Sequence, residues 1–238
     1  MGLFNSFISQ KPLFLGDFSD LEISEKYKSL LKRLNIEFNQ IQEIDVGISL
    51  FFDGNDLQLR KLARENYRLL KENKIKKIIV SNPYIFYLLK FEYPKYILDW
   101  DLEIEYILFP ILEGLKKMKF GLKELQKERI CYHDPCFIGR YSSVYEEPRE
   151  IIKLLGCELI EMKHNKENAL CCGACACYDK YNPSTSRIIA QNRIKEIPAN
   201  CILVVPCISC YNHLKKSSDK IEEMSEFILR KLKSLNAK

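Results

Sequence analysis

The first 130 residues of the chain contain no cysteine, although the whole chain has ten. The sequence also lacks any apolar run near the roughly 20 residues that a membrane-spanning helix needs. Its formal net charge is only +5, and no basic stripe with interleaved aromatic residues is present. We therefore expect neither a membrane span nor nucleic-acid binding.

The chain has 238 residues, of which 47% are hydrophobic. Because this is enough apolar material for two cores, we expect two modest domains. All ten cysteines lie between Cys131 and Cys210. Residues 1–10 have no basic start and no small-residue cleavage site, which argues against a secreted disulfide scaffold. We therefore expect a cytoplasmic protein, in which clustered thiols indicate a metal site.

The apolar pattern alternates between strand and helix and then repeats. Residues 80–86 align with 205–211 at an offset of 125, and residues 45–47 align with 171–173 at an offset of 126. This predicts an α/β fold of two tandem pseudo-repeats, each a small, mostly parallel sheet covered by helices. We place the repeats at residues 1–125 and 126–238.

The periodicity also predicts individual elements. The predicted strands of the first repeat are 12–16, 36–44 and 75–81, and those of the second are 129–133, 157–162 and 201–205. A helix that begins at Pro83 is expected to stop before Pro94, because proline disfavours helical backbone at the residue before it.

Five cysteines of the second repeat form a spaced set at strand ends and turns: Cys136, Cys171, Cys172, Cys207 and Cys210. Carboxyl ends of parallel strands converge on one crevice, so these thiols are expected to meet. Zinc needs four tetrahedral ligands and would leave one thiolate over, whereas iron–sulfur clusters prefer thiolates and accept several arrangements. An iron–sulfur cluster is therefore favoured, with zinc as the alternative.

These residues sit in motifs that resemble the cysteine-rich CCG-domain family. That family includes heterodisulfide reductase catalytic subunits and the iron–sulfur subunits of glycerol-3-phosphate dehydrogenase, glycolate oxidase and lactate-utilisation systems. The resemblance extends over about residues 129–216, and its motifs are 132–140, 145–149, 171–174 and 206–210.

The resemblance implies that the five cysteines bind a [4Fe-4S] cluster, which in heterodisulfide reductases is a noncubane type that contacts and splits a disulfide. The first repeat departs from the family pattern. Asp17, Asp45-Val46, Asn82 and Ile85 stand where members with two clusters have cysteines. We expect the first repeat to be a degenerate scaffold with no thiolate cluster.

Other residues near the motifs have two interpretations each. His133 could donate a hydrogen bond or a proton at the site, or be a structural histidine. Cys175 and Cys177 could be extra thiols of the site or local packing residues. Cys131, Cys157 and Cys201 lie in apolar strand contexts and are expected in the core.

Three functional hypotheses follow. The first is an oxidoreductase subunit that reduces a disulfide or thiol-type substrate at one cluster. The second is an electron-relay subunit of a lactate, glycolate or glycerol-3-phosphate dehydrogenase complex, and the third is a structural zinc module. Because the sequence has neither G-x-G-x-x-G nor C-x2-C-x2-C, we expect a partner subunit with flavin or ferredoxin-type clusters. The expected location is the cytoplasm, or the membrane periphery through that partner.

Overall fold

The structure, a computed structural model, describes residues 11–16, 20–40, 44–118 and 128–236. The chain divides into two compact units, Met1–Ile111 and Leu112–Lys238. The repeat boundary predicted between residues 125 and 126 lies outside the described residues, and so does Asp17.

The first unit contains a four-stranded parallel sheet. Its strands are β1 (Leu13–Leu15), β2 (Asn39–Gln40), β3 (Lys77–Val80) and β4 (Glu103–Tyr106), in the order β2-β1-β3-β4. Its helices are α1 (Leu21–Arg33), α2 (Ile48–Phe52), α3 (Asp56–Glu72), α4 (Pro83–Tyr87) and α5 (Tyr93–Tyr96). Helix α6 (Leu108–Lys117) follows β4.

The second unit contains a sheet with the same strand order. Its strands are β5 (Arg129–Tyr132), β6 (Glu158–Leu159), β7 (Ile202–Val205) and β8 (Ile221–Glu223), in the order β6-β5-β7-β8, and all are parallel. Its helices are α7 (Glu146–Leu154), α8 (Tyr178–Tyr181), α9 (Pro183–Ile194), α10 (Ile208–Leu214) and α11 (Met224–Asn236). The predicted fold class is confirmed.

The central strands are apolar on both faces, as parallel strands covered by helices require. Residues Leu13–Leu15 of β1 are all buried, and the β7 residues Leu203, Val204 and Val205 are fully buried. Cys131 is likewise in the core, and Cys157 and Cys201 are buried. Burial raises the pKa of Cys131 to about 12. The core interpretation of these three cysteines is confirmed.

Two predicted strands have the wrong length, and two further strands were missed. Strands 36–44 and 157–162 are much shorter than predicted, because β2 and β6 are edge strands that pair with one neighbour over two residues. Residues 41–43 lie outside the described part of the chain. The edge strands β4 and β8 were missed because each is short and carries glutamates.

The helical segment after Pro83 does not stop before Pro94. A π-helical stretch, Leu88–Glu92, continues it into α5. Pro94 lies in the first turn of α5, directly after the π-helical stretch, and the start of a helical segment is where proline is tolerated. None of the helices in the described ranges combines the length and apolar character needed to cross a membrane.

Candidate metal centre

The carboxyl edge of the second sheet is where the predicted site residues collect. Strand β5 ends at Tyr132, so His133 and the turn that contains Cys136 follow it directly. Strand β7 ends two residues before Cys207, which is the N-cap of α10. Cys210 lies in the first turn of α10 and is buried. Parallel pairing of β5 with β7 therefore places these thiols at one edge, as the sequence predicts.

The loop before α8 supplies the remaining thiols. Gly173 adopts a φ of +96°, and a Cβ there would lie 2.8 Å from the Ser186 carbonyl oxygen of α9, so only glycine fits. The hydroxyl of Ser186 donates to the Gly173 oxygen at 2.8 Å and lies 2.9 Å from Nε2 of His213. These contacts fix the loop that presents Cys171 and Cys172.

The thiols lie in mutual contact. The Sγ atoms of Cys172 and Cys210 are 3.1 Å apart, which is too long for a disulfide. Cys171 and Cys207 lie close enough to these two thiols to shift their pKa, Cys171 acting on Cys172 and Cys207 on Cys210. Cys136 and Cys175 form a second pair of neighbours, each of which shifts the pKa of the other. The structure thus brings the five predicted residues together and adds Cys175, while Cys177 is exposed.

The protonation of these thiols is interdependent. The neighbouring thiols of Cys171 and Cys210 hold the pKa of Cys172 well below its ordinary value, because they stabilise its thiolate. The same contacts raise the pKa of Cys171 and of Cys210, because these thiols keep their protons as donors to Cys172; burial and the neighbouring negative charge add to the shift. The neighbouring thiol of Cys175 lowers the pKa of Cys136, and the pKa of Cys175 is raised in turn. A full set of thiolates is therefore stable only around a positively charged group.

Backbone amides add to the site. The N–H groups of Gly173 and Ala174 donate to the sulfur atoms of Cys171 and Cys172 at 3.3 and 3.4 Å. Donors of this kind favour negative charge on sulfur. The thiols differ in exposure, since Cys172, Cys207 and Cys210 are buried whereas Cys136, Cys171 and Cys175 are half-buried. The centre thus has a closed side and an open side.

His133 is buried beside the thiols. One of its ring nitrogens lies within 4.8 Å of the Sγ atoms of Cys172 and Cys210. Its Nδ1 accepts a hydrogen bond of 3.1 Å from Nε of Arg193. Complete burial lowers the pKa of His133, with a smaller opposing effect from Cys172, so the ring is neutral at neutral pH.

A buried ion pair supports the turn that contains His133 and Cys136. Arg149 donates to both carboxylate oxygens of Asp134 at 2.8 and 2.9 Å, and it also contacts Glu161. The N–H of Lys166 donates to Asp134 as well. The guanidinium of Arg149 lies 5.3 Å from the Tyr132 ring centroid. Because these groups satisfy one another, Asp134 has a structural rather than a chemical role here.

The donor set fits a thiolate-bound metal or cluster. Soft sulfur ligands are preferred by iron–sulfur clusters and by zinc. Among the described residues, the buried side-chain atoms without a hydrogen-bond partner include Nε2 of His133, Oη of Tyr132, Nδ1 of His213 and Nη2 of Arg193. All four belong to side chains at or next to this centre, and unpaired buried polar atoms point to a missing polar neighbour.

The fold and site define the second unit as a parallel α/β domain with a thiolate centre at the sheet's carboxyl edge. Residues 130–215 match the family model of the cysteine-rich domain CCG. This segment is thus similar to the CCG family, and the resemblance seen in the motifs is confirmed.

Several curated proteins are similar to this chain. A probable iron–sulfur-binding oxidoreductase, FadF, of Bacillus subtilis (strain 168) is 35% identical over 51% of this chain and 17% of its own length. The EtfAB:quinone oxidoreductase of Syntrophomonas wolfei is 32% identical over 64% of this chain and 21% of its own length. One subunit of the dihydromethanophenazine:CoB–CoM heterodisulfide reductase of Methanosarcina acetivorans is 27% identical over 86% of this chain and 52% of its own length. The chain thus spans about half, or less, of the length of these relatives.

Three further residues contribute to the centre; sequence reasoning missed Arg193 and Ser186 and ranked His213 below His133. Arg193, Ser186 and His213 are buried polar residues of α9 and α10 that contact the site or its loop. Helix α9 is only weakly amphipathic, with Ser186 and Arg193 on its buried side. No motif marks these residues, and only their burial, which a sequence does not display, could have found them.

Proposed function

We propose that this chain is an iron–sulfur subunit of an oxidoreductase that reduces a disulfide or thiol-type substrate at a single cluster. Cys136, Cys171, Cys172, Cys207 and Cys210 would hold a [4Fe-4S] cluster in the second unit. The observation that carries the proposal is the convergence of these five thiols inside the segment that matches the cysteine-rich domain. Five thiolates exceed what zinc needs, and they suit iron–sulfur ligation.

The difference in thiol exposure supports substrate chemistry at the centre. A substrate can approach only on the side of Cys136, Cys171 and Cys175, because the other three thiols are buried. When bound, the cluster would supply electrons for cleavage of the substrate's S–S bond. The balanced reaction takes one disulfide, two electrons and two protons to two thiols. Nε2 of His133, on the buried side, would donate a hydrogen bond to sulfur and so hold the negative charge that develops there.

The electrons would come from a partner subunit with a flavin or ferredoxin-type clusters. This sequence has neither a G-x-G-x-x-G loop nor a C-x2-C-x2-C run. A relative that matches over 86% of the chain is named as one of the subunits of a heterodisulfide reductase, which supports a place in a multi-subunit reductase.

A relay function is the second candidate. A relative at 32% identity is named EtfAB:quinone oxidoreductase, an activity in which a cysteine-rich segment could pass electrons onward. In that case the cluster would transfer electrons only, and the disulfide chemistry would be absent. The two functions share the same ligands and differ in whether thiols reach the cluster.

Metal analysis of anaerobically purified protein, with EPR after oxidation, tests the proposal. We expect about four irons and four acid-labile sulfides per chain, and an EPR signal that changes when a thiol is added. The Cys177→Ser variant is the matched control, because Cys177 is exposed and should not affect iron content.

Other results would contradict the proposal in distinct ways. Iron and sulfide without a thiol response would reject substrate reduction and leave the relay. Near-stoichiometric zinc without sulfide would reject both redox functions and leave a structural zinc module.

A further inference from the structure

Arg193 is a fully buried cation next to the thiolate centre. It lies near the end of α9, and its guanidinium makes three hydrogen bonds. Nη1 donates to Glu196 Oε2 and to the His164 oxygen, both at 2.7 Å, and Nε donates to Nδ1 of His133 at 3.1 Å. A buried arginine costs several kcal/mol of desolvation that one carboxylate offsets only in part. Such a residue is expected to have a role beyond packing.

The contact with His133 determines where the imidazole carries its proton. A guanidinium only donates hydrogen bonds, so the Nδ1 atom that faces Arg193 must be the acceptor. In a neutral imidazole, the proton then lies on Nε2. Nε2 has no hydrogen-bond partner among the described residues, although a ring nitrogen of His133 is within 4.8 Å of the sulfur atoms of Cys172 and Cys210.

Arg193 itself is held in place from outside the centre. Glu196 contacts the Nδ1 atom of His164, a half-exposed residue, and accepts from Arg193 with its other oxygen. Nη2 of Arg193 is buried and has no partner within the described part of the chain. The arrangement leaves Nε2 of His133 as an N–H donor beside the thiols, while Nη2 of Arg193 is a second buried donor without a partner in the described residues.

We propose that Arg193 is a positioning residue of the thiolate centre, which fixes the Nε2–H tautomer of His133 and directs that N–H toward the sulfur atoms of the bound cluster. This inference rests on the proposed function, because it assumes that the thiols hold an iron–sulfur cluster. The positive charge of Arg193 adds a second effect. Hydrogen bonds to sulfur and nearby positive charge both stabilise the reduced cluster and raise its reduction potential.

Variants of Arg193 separate these two effects. Arg193→Gln retains an N–H donor for His133 but removes the charge, whereas Arg193→Met removes both. Arg187→Met is the matched control, since Arg187 is an exposed residue of the same helix. The measurements are iron content, a potentiometric titration, and pulsed EPR of full-length protein labelled with 15N-histidine.

The expected results form an ordered series. Wild type and Arg187→Met should show one 15N coupling to the paramagnetic cluster and the same reduction potential. Arg193→Gln should keep the coupling and shift the potential downward. Arg193→Met should lose or weaken the coupling and shift the potential further downward. The coupling should be absent in His133→Phe, which assigns it among the three histidines of the chain.

Each failure has its own meaning. If wild type binds no iron, the proposed function fails before Arg193 is tested. If Arg193→Met binds iron and keeps the wild-type coupling and potential, the positioning role is wrong. If Arg193→Met does not fold, Glu196→Gln decides: loss of the carboxylate charge should raise the potential and keep the coupling. An unchanged potential in Glu196→Gln would also overturn the proposal.

Discussion

The two units have the same framework but hold the carboxyl edge of their sheets by different means. Both sheets have the equivalent strand order, β2-β1-β3-β4 and β6-β5-β7-β8. Both also have a glycine with positive φ in the corresponding loop, Gly47 and Gly173. In the first unit, Nδ2 of Asn66 donates to the backbone carbonyl oxygen of Asp45 at 2.7 Å, and Oη of Tyr93 donates to that of Val46 at 3.2 Å. In the second unit, thiols occupy the equivalent loop.

The helix that follows the third strand shows the same contrast. Asn82 is the N-cap of α4, and its side chain accepts from the N–H groups of Tyr84 and Ile85 at 2.8 and 3.2 Å. Cys207 is the N-cap of α10 and makes no side-chain capping bond. The first unit closes this edge with protein hydrogen bonds, and the second leaves donors and thiols for another group. The fold and the metal centre are therefore separable.

The largest expected effect comes from placing asparagine, the N-cap residue of α4 in the first unit, at the N-cap position of α10 in the second unit. Cys207→Asn should reduce iron from about four per chain to near zero, because a thiolate ligand is lost. The same change should stabilise the metal-free protein by about 0.5–1 kcal/mol, since asparagine caps a helix where cysteine does not. Iron analysis and urea unfolding of the metal-free protein measure the two effects.

Cys207→Ser serves as a comparison, because it removes the thiolate with a smaller change of volume. If Cys207→Asn kept its iron, Cys207 would not be a ligand. If it lost iron and was also much less stable than Cys207→Ser, the equivalence of the two N-cap positions would be wrong.

A smaller effect distinguishes the two loop glycines. A Cβ at position 173 would lie 2.8 Å from a backbone oxygen, whereas at position 47 it would lie 2.8 Å from a methyl of Leu59, which can move. Gly173→Ala should therefore displace the cysteine loop and lower iron content several-fold. Gly47→Ala should leave iron unchanged and cost about 1–2 kcal/mol of stability, mostly from its positive φ.

Gly54→Ala controls for the cost of a side chain at positive φ alone, since Gly54 has a φ of +68° and open space around its Cβ position. Iron content and thermal unfolding of the three variants make the comparison. Equal iron in Gly173→Ala and Gly47→Ala would mean that the close contact with α9 does not shape the centre.

The sequence predicted the repeat and the meeting of five cysteines because both depend on local patterns. Apolar runs such as Leu13–Leu15 specify buried parallel strands, and thiols placed directly after strands must share an edge. The edge strands were predicted poorly, because Glu103–Tyr106 alternates charged and apolar residues and pairs with only one neighbour. Contacts that join distant segments, such as Arg193 with His133, leave no local pattern at all.

The smallest effect concerns the cores rather than the loops. The central strand β5 has a thiol, Cys131, whose pKa burial raises to about 12, while β1 has only Leu13, Phe14 and Leu15. Burial favours the neutral form of this thiol, so the folded state is stabilised relative to the unfolded state only while the thiol stays protonated in both. This stabilisation is complete below pH 9 and is lost as the pH rises toward 12. Above pH 9, wild type should therefore lose stability more steeply than Cys131→Val.

Urea unfolding of the metal-free protein at pH 8 and pH 10 measures this difference, and iodoacetamide labelling with mass spectrometry supports it. At pH 8 the thiolate fraction of a thiol with a pKa of about 12 is roughly 10⁻⁴, so folded Cys131 should react far more slowly than the exposed Cys177. Equal labelling of the two would show that the core around β5 opens readily. Equal pH dependence of wild type and Cys131→Val would instead assign the alkaline sensitivity to other groups whose pKa burial raises, such as Tyr93 and Cys157.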